Sequence, residues 1–335
     1  MIEPDTELTD LHIHVGASVA PHILWSIAHQ QGFKLPVRDY WEFRDLVFAD
    51  PRRVTSLDDY LHILHEWTEK IQSSPAAMER SVYEIIGKEY RSSRVTAIEL
   101  RFNPMKRNLG GERDLDHIIH AALRGLDRAC LEYGCRAGLL FCLAREFDAR
   151  LNEILLDKAV RYRDRGVLGI DLAGTETMAP ERGPDAARYE RLFARARDEG
   201  LGTTVHCGET RKSGAEGVRA VLERLRPDRI GHGIRAVDDD GVLGMLAERG
   251  TVLEICPSSN LRTHAVHDVE DLGRVLERLR GAGVRYTINT DGPYLIGTHL
   301  RNEFEMLGRA GALDAGQAQA CIETARAATF LAARA

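Results

Sequence analysis

The sequence predicts a (β/α)8 barrel with an inserted helical segment after its first strand. Eight short β-branched or apolar runs alternate with longer stretches of helical periodicity, the order that builds a parallel sheet. The first, fifth and eighth runs end in His or Asp, and a barrel gathers its polar working residues at the C-terminal ends of its strands. A closed barrel brings its first and eighth strands together, whereas an open doubly wound sheet, the rival architecture, holds its edges apart. The 335 residues suit such a barrel with additions. No linker, low-complexity tract or short-period repeat marks a boundary, so residues 1–335 are expected to form a single domain.

The strands are expected near residues 9–14, 95–102, 136–143, 166–173, 201–206, 228–232, 250–256 and 285–290. The second, Val95-Thr96-Ala97-Ile98-Glu99-Leu100-Arg101-Phe102, and the seventh, Thr251-Val252-Leu253-Glu254-Ile255-Cys256, are dense in strand-forming residues. The long gap from about residue 20 to 94 is the insertion, and it includes a helix running from about Pro75 through Ile85 and Ile86. Another helix begins near Asp114 and places Leu115, Ile118, Ile119 and Ala122 at helical spacing. Val269 to Arg280 forms a third, with Leu272, Val275, Leu276 and Leu279 on one stripe.

Composition narrows the function. Hydrophobic residues make up 44% of the chain and support a large core, while 29% charged residues support a soluble surface. The formal net charge is -6, and no dense basic stripe with interleaved aromatics suggests a nucleic acid partner. None of the six Cys forms a Cys-x-x-Cys pair, so zinc ribbons and thioredoxin-like chemistry lack a signal. The acidic start Met1-Ile2-Glu3-Pro4-Asp5 differs from a signal peptide, and no apolar run approaches membrane-spanning length. A reducing cytoplasm, a small-molecule substrate and no membrane are expected; oligomeric state is left open.

The chemistry concentrates at the strand ends. His12 and His14 alternate with apolar residues, and a period of two puts both imidazoles on one face. His206 ends the fifth strand, and Asp291 follows the eighth. Three His and one Asp form a catalytic zinc set that leaves room for water. Glu209, three residues after His206, is not needed as a ligand and can serve as a proton shuttle, with Gly208 allowing the tight backbone path that turns it inward. A helix N-terminal charge is its plainer alternative. His232 lies between Gly231 and Gly233, a sign of close backbone approach, though a satisfied core His fits as well. Asp291 could instead be a turn residue before Gly292-Pro293. The pairs His62/His65, His117/His120 and His264/His267 show no matching carboxylate partner and are read as surface or supporting residues. Binuclear barrel hydrolases carry a carboxylated Lys at the end of the fourth strand; Gly169-Ile170-Asp171-Leu172-Ala173-Gly174 has none, favouring one metal over two. Phosphate-loop and dinucleotide fingerprints are absent, as is the Pro-Cys-x-x-Cys signature of cytidine-type deaminases.

Taken in order along nearly the whole chain, these segments resemble the adenosine deaminase family of zinc barrels. His12-Ile13-His14 resembles the family's opening His-x-His, and Ile98 to Pro104 its second-strand segment. Gly169 to Glu176, His206-Cys207-Gly208-Glu209, Arg229-Ile230-Gly231-His232-Gly233, Cys256-Pro257-Ser258-Ser259-Asn260 and Asn289-Thr290-Asp291 follow. The resemblance implies that His12, His14, His206 and Asp291 bind one Zn2+ and that Glu209 passes a proton to purine N1. It implies that His232 orients the attacking water. His14 and the backbone N–H of Gly174 would contact the substrate, the latter at purine N3, and Leu57, Tyr60, Leu61 and Leu64 would form an apolar gate, which ordinary helix packing explains equally well. Two departures bear on substrate. Gly16 stands where the family usually has an Asp resembling a ribose 5′-hydroxyl contact, and Gly292 where a second Asp bonds purine N7. Losing polar contacts should weaken preference for plain adenosine.

The expected activity is zinc-dependent hydrolytic deamination of a 6-aminopurine nucleoside, adenosine to inosine by default, with release of ammonia. The alternatives are a modified adenine nucleoside such as aminodeoxyfutalosine, another aminated heterocycle, a mononuclear barrel amidohydrolase, and a non-enzymatic ligand-binding relative.

Overall fold

The computed structural model describes residues 2–109 and 111–331. Eight strands follow one another in chain order around one sheet: β1 (Leu8–His14), β2 (Val95–Phe102), β3 (Arg136–Ala144), β4 (Val167–Ala173), β5 (Gly202–Cys207), β6 (Arg229–His232), β7 (Val252–Ile255) and β8 (Tyr286–Ile288). Each pairs in parallel with the next. A bridge between Ile13 and Asp291 joins the two ends of the sheet, which makes the (β/α)8 barrel.

β8 is shorter than the expected 285–290. Past Ile288, side chains take over from the strand ladder: Asn289 Oδ1 accepts the Leu11 N–H at 3.0 Å, and the Thr290 hydroxyl donates to Asp10 at 2.6 Å. β7 likewise begins at Val252, because Gly250, at φ +66, caps the helix Asp240–Arg249.

The long helices start and stop where local chemistry dictates. In Pro75–Ser93 the Ser74 hydroxyl caps the first turn, Pro75 supplies a preset φ, and Arg94 ends the helix at φ 53. Asp114 caps Leu115–Tyr133, which stops at Gly134, φ 63. These two helices pack so closely that a Cβ on Gly125 would stand 2.3 Å from the Glu79 carbonyl oxygen.

The insertion is helical, as expected. Its segment Leu57–Ile63 continues through a π-type turn, Leu64–Thr68, into Glu69–Ile71. π-type turns often mark functional sites; this one lies over the C-terminal mouth of the barrel, where Leu61, Leu64, His65 and Glu69 face His14 and Gly174. Among the described residues, no helix is long and apolar enough to cross a membrane.

Inside the barrel the filling is polar. Arg101 donates to Asp171 at 3.1 Å and to Glu254 at 2.9 Å, and Arg229 Nε lies 2.7 Å from Glu254. Glu99 pairs with Arg229 and accepts the Thr329 hydroxyl and the Phe330 N–H, each at 2.7 Å. All five charged side chains are essentially buried. Such a network holds only while each charge keeps its partners.

Candidate active site

Period-two alternation sends Asp10, His12 and His14 of β1 inward. From β5 comes His206, and from the turn after β8 comes Asp291. The donor atoms of His12, His14 and His206 all lie within 4.8 Å of one another. His14 Nε2 is 3.0 Å from His206 Nε2, and Asp291 Oδ1 is 3.5 Å from His14 Nε2 and 3.7 Å from His12 Nε2. Donors at roughly 2.0–2.1 Å around a tetrahedral ion stand about 3.3 Å apart, so this spacing fits one zinc-sized cation. His12 Nε2 is fully buried with no hydrogen-bond partner among the described residues, an orphaned lone pair that an ion would satisfy.

Each inner His is oriented from behind. His12 Nδ1 lies 2.8 Å from Glu254, and His206 Nδ1 lies 2.9 Å from Asp171 Oδ2. A carboxylate on Nδ1 fixes the tautomer that leaves Nε2 free to ligate. Burial and the neighbouring imidazoles and Arg101 push His12 and His14 well below the ordinary imidazole range, so both are neutral, as ligands must be. Burial alone would raise Asp171, but His206 and Arg101 hold it well below the usual carboxylate range. Asp291 Oδ2 accepts the Ser259 hydroxyl at 2.6 Å, which leaves Oδ1 facing the imidazoles. A second grouping, His12, His232 and Cys256, also has donors within 4.8 Å. Burial and Asp291 push its thiol well up, away from the thiolate that metals bind.

Backbone strain and glycines shape the site. Asp291 and His232 sit at φ 61 and φ 60, a left-handed conformation rare for residues with a side chain. Gly231 makes room for the imidazoles: a Cβ there would stand 2.9 Å from His12 Cε1. Gly208, at φ +62, turns the chain after β5 where a Cβ would meet Val218 at 2.5 Å.

That turn delivers Glu209 into the pocket, buried and accepting the Thr263 hydroxyl at 2.9 Å. Its backbone N–H donates to Glu176, which also binds Thr210. Burial, with Glu176 and Asp291 nearby, pushes the Glu209 carboxyl well above its ordinary range, the direction that favours the protonated acid. His232 Nε2 is 3.6 Å from Glu209 Oε2, and Asn260 Nδ2 is 3.0 Å from His232 Nδ1. With that amide donating, the ring proton sits on Nε2. Burial lowers His232 to about 3, so it stays neutral.

Glu209, His232, His14, His206 and Asp291 line one pocket together with Gly174, Glu176, Leu57, Tyr60, Leu61 and Leu64. The four insertion residues thus line the pocket beside the candidate metal ligands, and they also pack with Ala17, Ala49, Val54, Leu295 and Ile296 in a satellite apolar cluster. A second pocket shares His14, Leu61, Leu64 and Gly174 and extends toward His65, Glu69, Lys106 and Arg107. Gly16 lines this second pocket, and a Cβ there would stand 2.7 Å from Leu64 and 3.1 Å from both Arg107 and Glu69.

One expectation is corrected. The outlying His pairs do have carboxylate partners: His117 lies 2.9 Å from Glu112 and His267 2.9 Å from Asp268, both at the surface, while His65 lies 2.6 Å from Glu69 in the second pocket's wall. Glu69 also pairs with Arg107 at 2.7 Å. Sequence reasoning passed over Asp171, Glu176, Glu254, Ser259, Asn260 and Thr263 as supporting groups. Asp171 and Glu254 were discoverable as lone acids in otherwise apolar strands of a barrel.

The family described as adenosine deaminase matches residues 7–334. An aminodeoxyfutalosine deaminase from Acidothermus cellulolyticus is 34% identical over 309 residues, covering 90% of this chain and 82% of that protein. An adenosine deaminase from Erwinia tasmaniensis is 30% identical over 336 residues, covering 99% and 96%. The crystal structure of an amidohydrolase from Burkhoderia ambifaria with bound Zn has a TM-score of 0.83 at 21% identity, covering 97% of this chain and 85% of that one.

Proposed function

This chain belongs to the adenosine deaminase family, and from that premise we propose that it removes the exocyclic amino group of a 6-aminopurine nucleoside by hydrolysis, releasing ammonia. The observation that carries the reading is the convergence of three imidazoles and one carboxylate beside a buried Glu209. His12, His14, His206 and Asp291 would hold one zinc ion. When bound, such an ion acidifies water enough to supply a nucleophile near neutral pH.

The remaining chemistry belongs to the chain itself. Glu209 would give its proton to purine N1, which draws electron density from C6 and opens that carbon to attack. His232 would hold the incoming water through Nε2–H and stabilise charge as it develops. Gly174 N–H would meet N3, and His14 would pack against the ring. Leu57, Tyr60, Leu61 and Leu64 would keep bulk water out, which strengthens every polar contact inside. Ammonia leaves and a carbonyl replaces the amino group, so one water is consumed per turnover.

A second reading is favoured by the second pocket. At Gly16 the space is occupied by Leu64 and the Glu69–Arg107 pair, and the second pocket continues past them toward His65 and Lys106. A modified adenine nucleoside with a larger sugar substituent, as the name of the Acidothermus cellulolyticus relative suggests, suits it. Ammonia release by zinc-loaded protein from adenosine, aminodeoxyfutalosine and simple aminoheterocycles, run beside amide and ester substrates, tests both readings. Turnover of an amide or ester with no ammonia from any aminopurine would overturn them.

A further inference from the structure

We propose that the Tyr60 hydroxyl donates a hydrogen bond to the substrate's ring nitrogen on the far side of the reacting carbon from Glu209, N7 of a purine, and that Gly292 is present to admit it. The inference rests on the aminopurine reading above and deepens it.

Gly292 directly follows Asp291, and its φ of -134 lies outside the left-handed region that favours glycine. Conformation therefore does not require glycine there; space does. A Cβ on Gly292 would stand 2.1 Å from Tyr60 Oη and 2.6 Å from Ala17 Cβ. The phenol tip thus fills the volume that a side chain on residue 292 would use, while its ring packs among Ala17, Val54, Leu64, Leu295 and Ile296.

That hydroxyl is buried and makes no hydrogen bond among the described residues. A native structure rarely leaves such a group unpaired, so an unpaired one calls for a missing partner. The pocket's other polar side chains are already engaged: Glu209 with Thr263, Asp291 with Ser259, His232 with Asn260, and Glu176 with Thr210. None of these groups accepts from the Tyr60 hydroxyl, and an acceptor brought by the ligand would supply the missing partner. Burial, with Asp291 and Glu209 nearby, raises the phenol well above its usual range, so it remains a donor.

The identity of the acceptor follows from position. The Tyr60 hydroxyl sits against Gly292, next in the chain to Asp291, and lines the same pocket as Glu209 and His232, so it would flank a carbon presented to the candidate metal ligands. On a 6-aminopurine, only N1 and N7 offer in-plane lone pairs along that edge. Glu209 takes N1 in the proposed reaction, leaving N7 for Tyr60.

The test measures kcat/KM on adenosine, or on whichever 6-aminopurine nucleoside is turned over, and on its 7-deaza analogue. Zinc-loaded wild type and Tyr60→Phe are compared. Wild type should prefer the parent compound by about tenfold or more, the scale of one lost hydrogen bond in a dry site. In Tyr60→Phe that preference should collapse toward one. The melting temperature should hold or rise, because the deleted hydroxyl has no partner in the protein. Equal losses on both substrates, or an unchanged preference, would overturn the proposal. If wild type releases ammonia from neither compound, the aminopurine reading itself falls and takes this inference with it.

Discussion

The carbonyl oxygen of Asp291 accepts the backbone N–H of His14 at 2.7 Å, and Asp291 returns its own N–H to the carbonyl of His12 at 2.7 Å. The seam that closes the barrel is therefore made by the same residues whose side chains face the candidate metal position. Asp291 holds φ 61 to make both bonds at once. Strain of this kind persists only where the surroundings over-determine it, and here the last contact of the fold also sets the site.

Metal binding and fold stability should be coupled as a result. Purified protein should carry about one zinc per chain, and chelation should lower its melting temperature reversibly. With free metal a thousandfold above Kd, the ion stabilises by about 4 kcal/mol. An Asp291→Asn protein should lose most of that increment. Identical melting with and without chelator, and no metal by elemental analysis, would remove the ion from the site.

Replacing Glu209 by Gln keeps the shape and the acceptor for Thr263 but removes the proton that the pocket is built to hold. Deamination should fall by roughly 100- to 10,000-fold, the usual contribution of a positioned acid, with metal content unchanged. Wild-type turnover in this variant would exclude Glu209 from the reaction.

Asp171 orients His206 and pairs with Arg101. An Asp171→Asn protein should bind zinc roughly 10- to 100-fold more weakly, as supporting carboxylates behind ligand imidazoles typically do. Competition with a chromogenic chelator reads the shift directly, and an unchanged affinity would reduce Asp171 to a packing role.

Glu303 offers a pH test away from the metal. Burial raises its carboxyl from 4.5 to about 7, against the opposing hydrogen bonds from Ser258 and Thr298. Below pH 4.5 both folded and unfolded chains carry this proton, and Glu303 contributes nothing to the pH dependence. Between 4.5 and about 7 the unfolded chain ionises first, so stability falls as pH rises, by on the order of 3 kcal/mol in total. Above that window the penalty is constant. Urea unfolding of wild type and Glu303→Gln across this range should show a smaller decline in the variant; parallel curves would mean that Glu303 titrates normally in the fold.

Much of this architecture was legible in the chain. Alternation along β1 exposed His12 and His14 as a same-face pair, and strand runs ending in His206 and Asp291 marked one end of a barrel. Local periodicity carries such information because strand and helix geometry repeat every few residues. Gly231 and Gly208 were likewise readable as points of close approach, although not what approaches them.

The supporting shell was not legible. Glu254 meets His12, Arg101 and Arg229 from three other strands, and nothing in the sequence of β7 names those partners. Tyr60 and Gly292 are separated by most of the chain, so neither residue alone reveals that one occupies the other's space. Local sequence determined which segments become strands, which residues end them and which donors a metal can use. Tertiary structure alone decided which carboxylates back His12 and His206, the upward pKa shift of Glu209 and the filling of the spaces beside Gly16 and Gly292, because burial and nonlocal contact exist only once the barrel has closed.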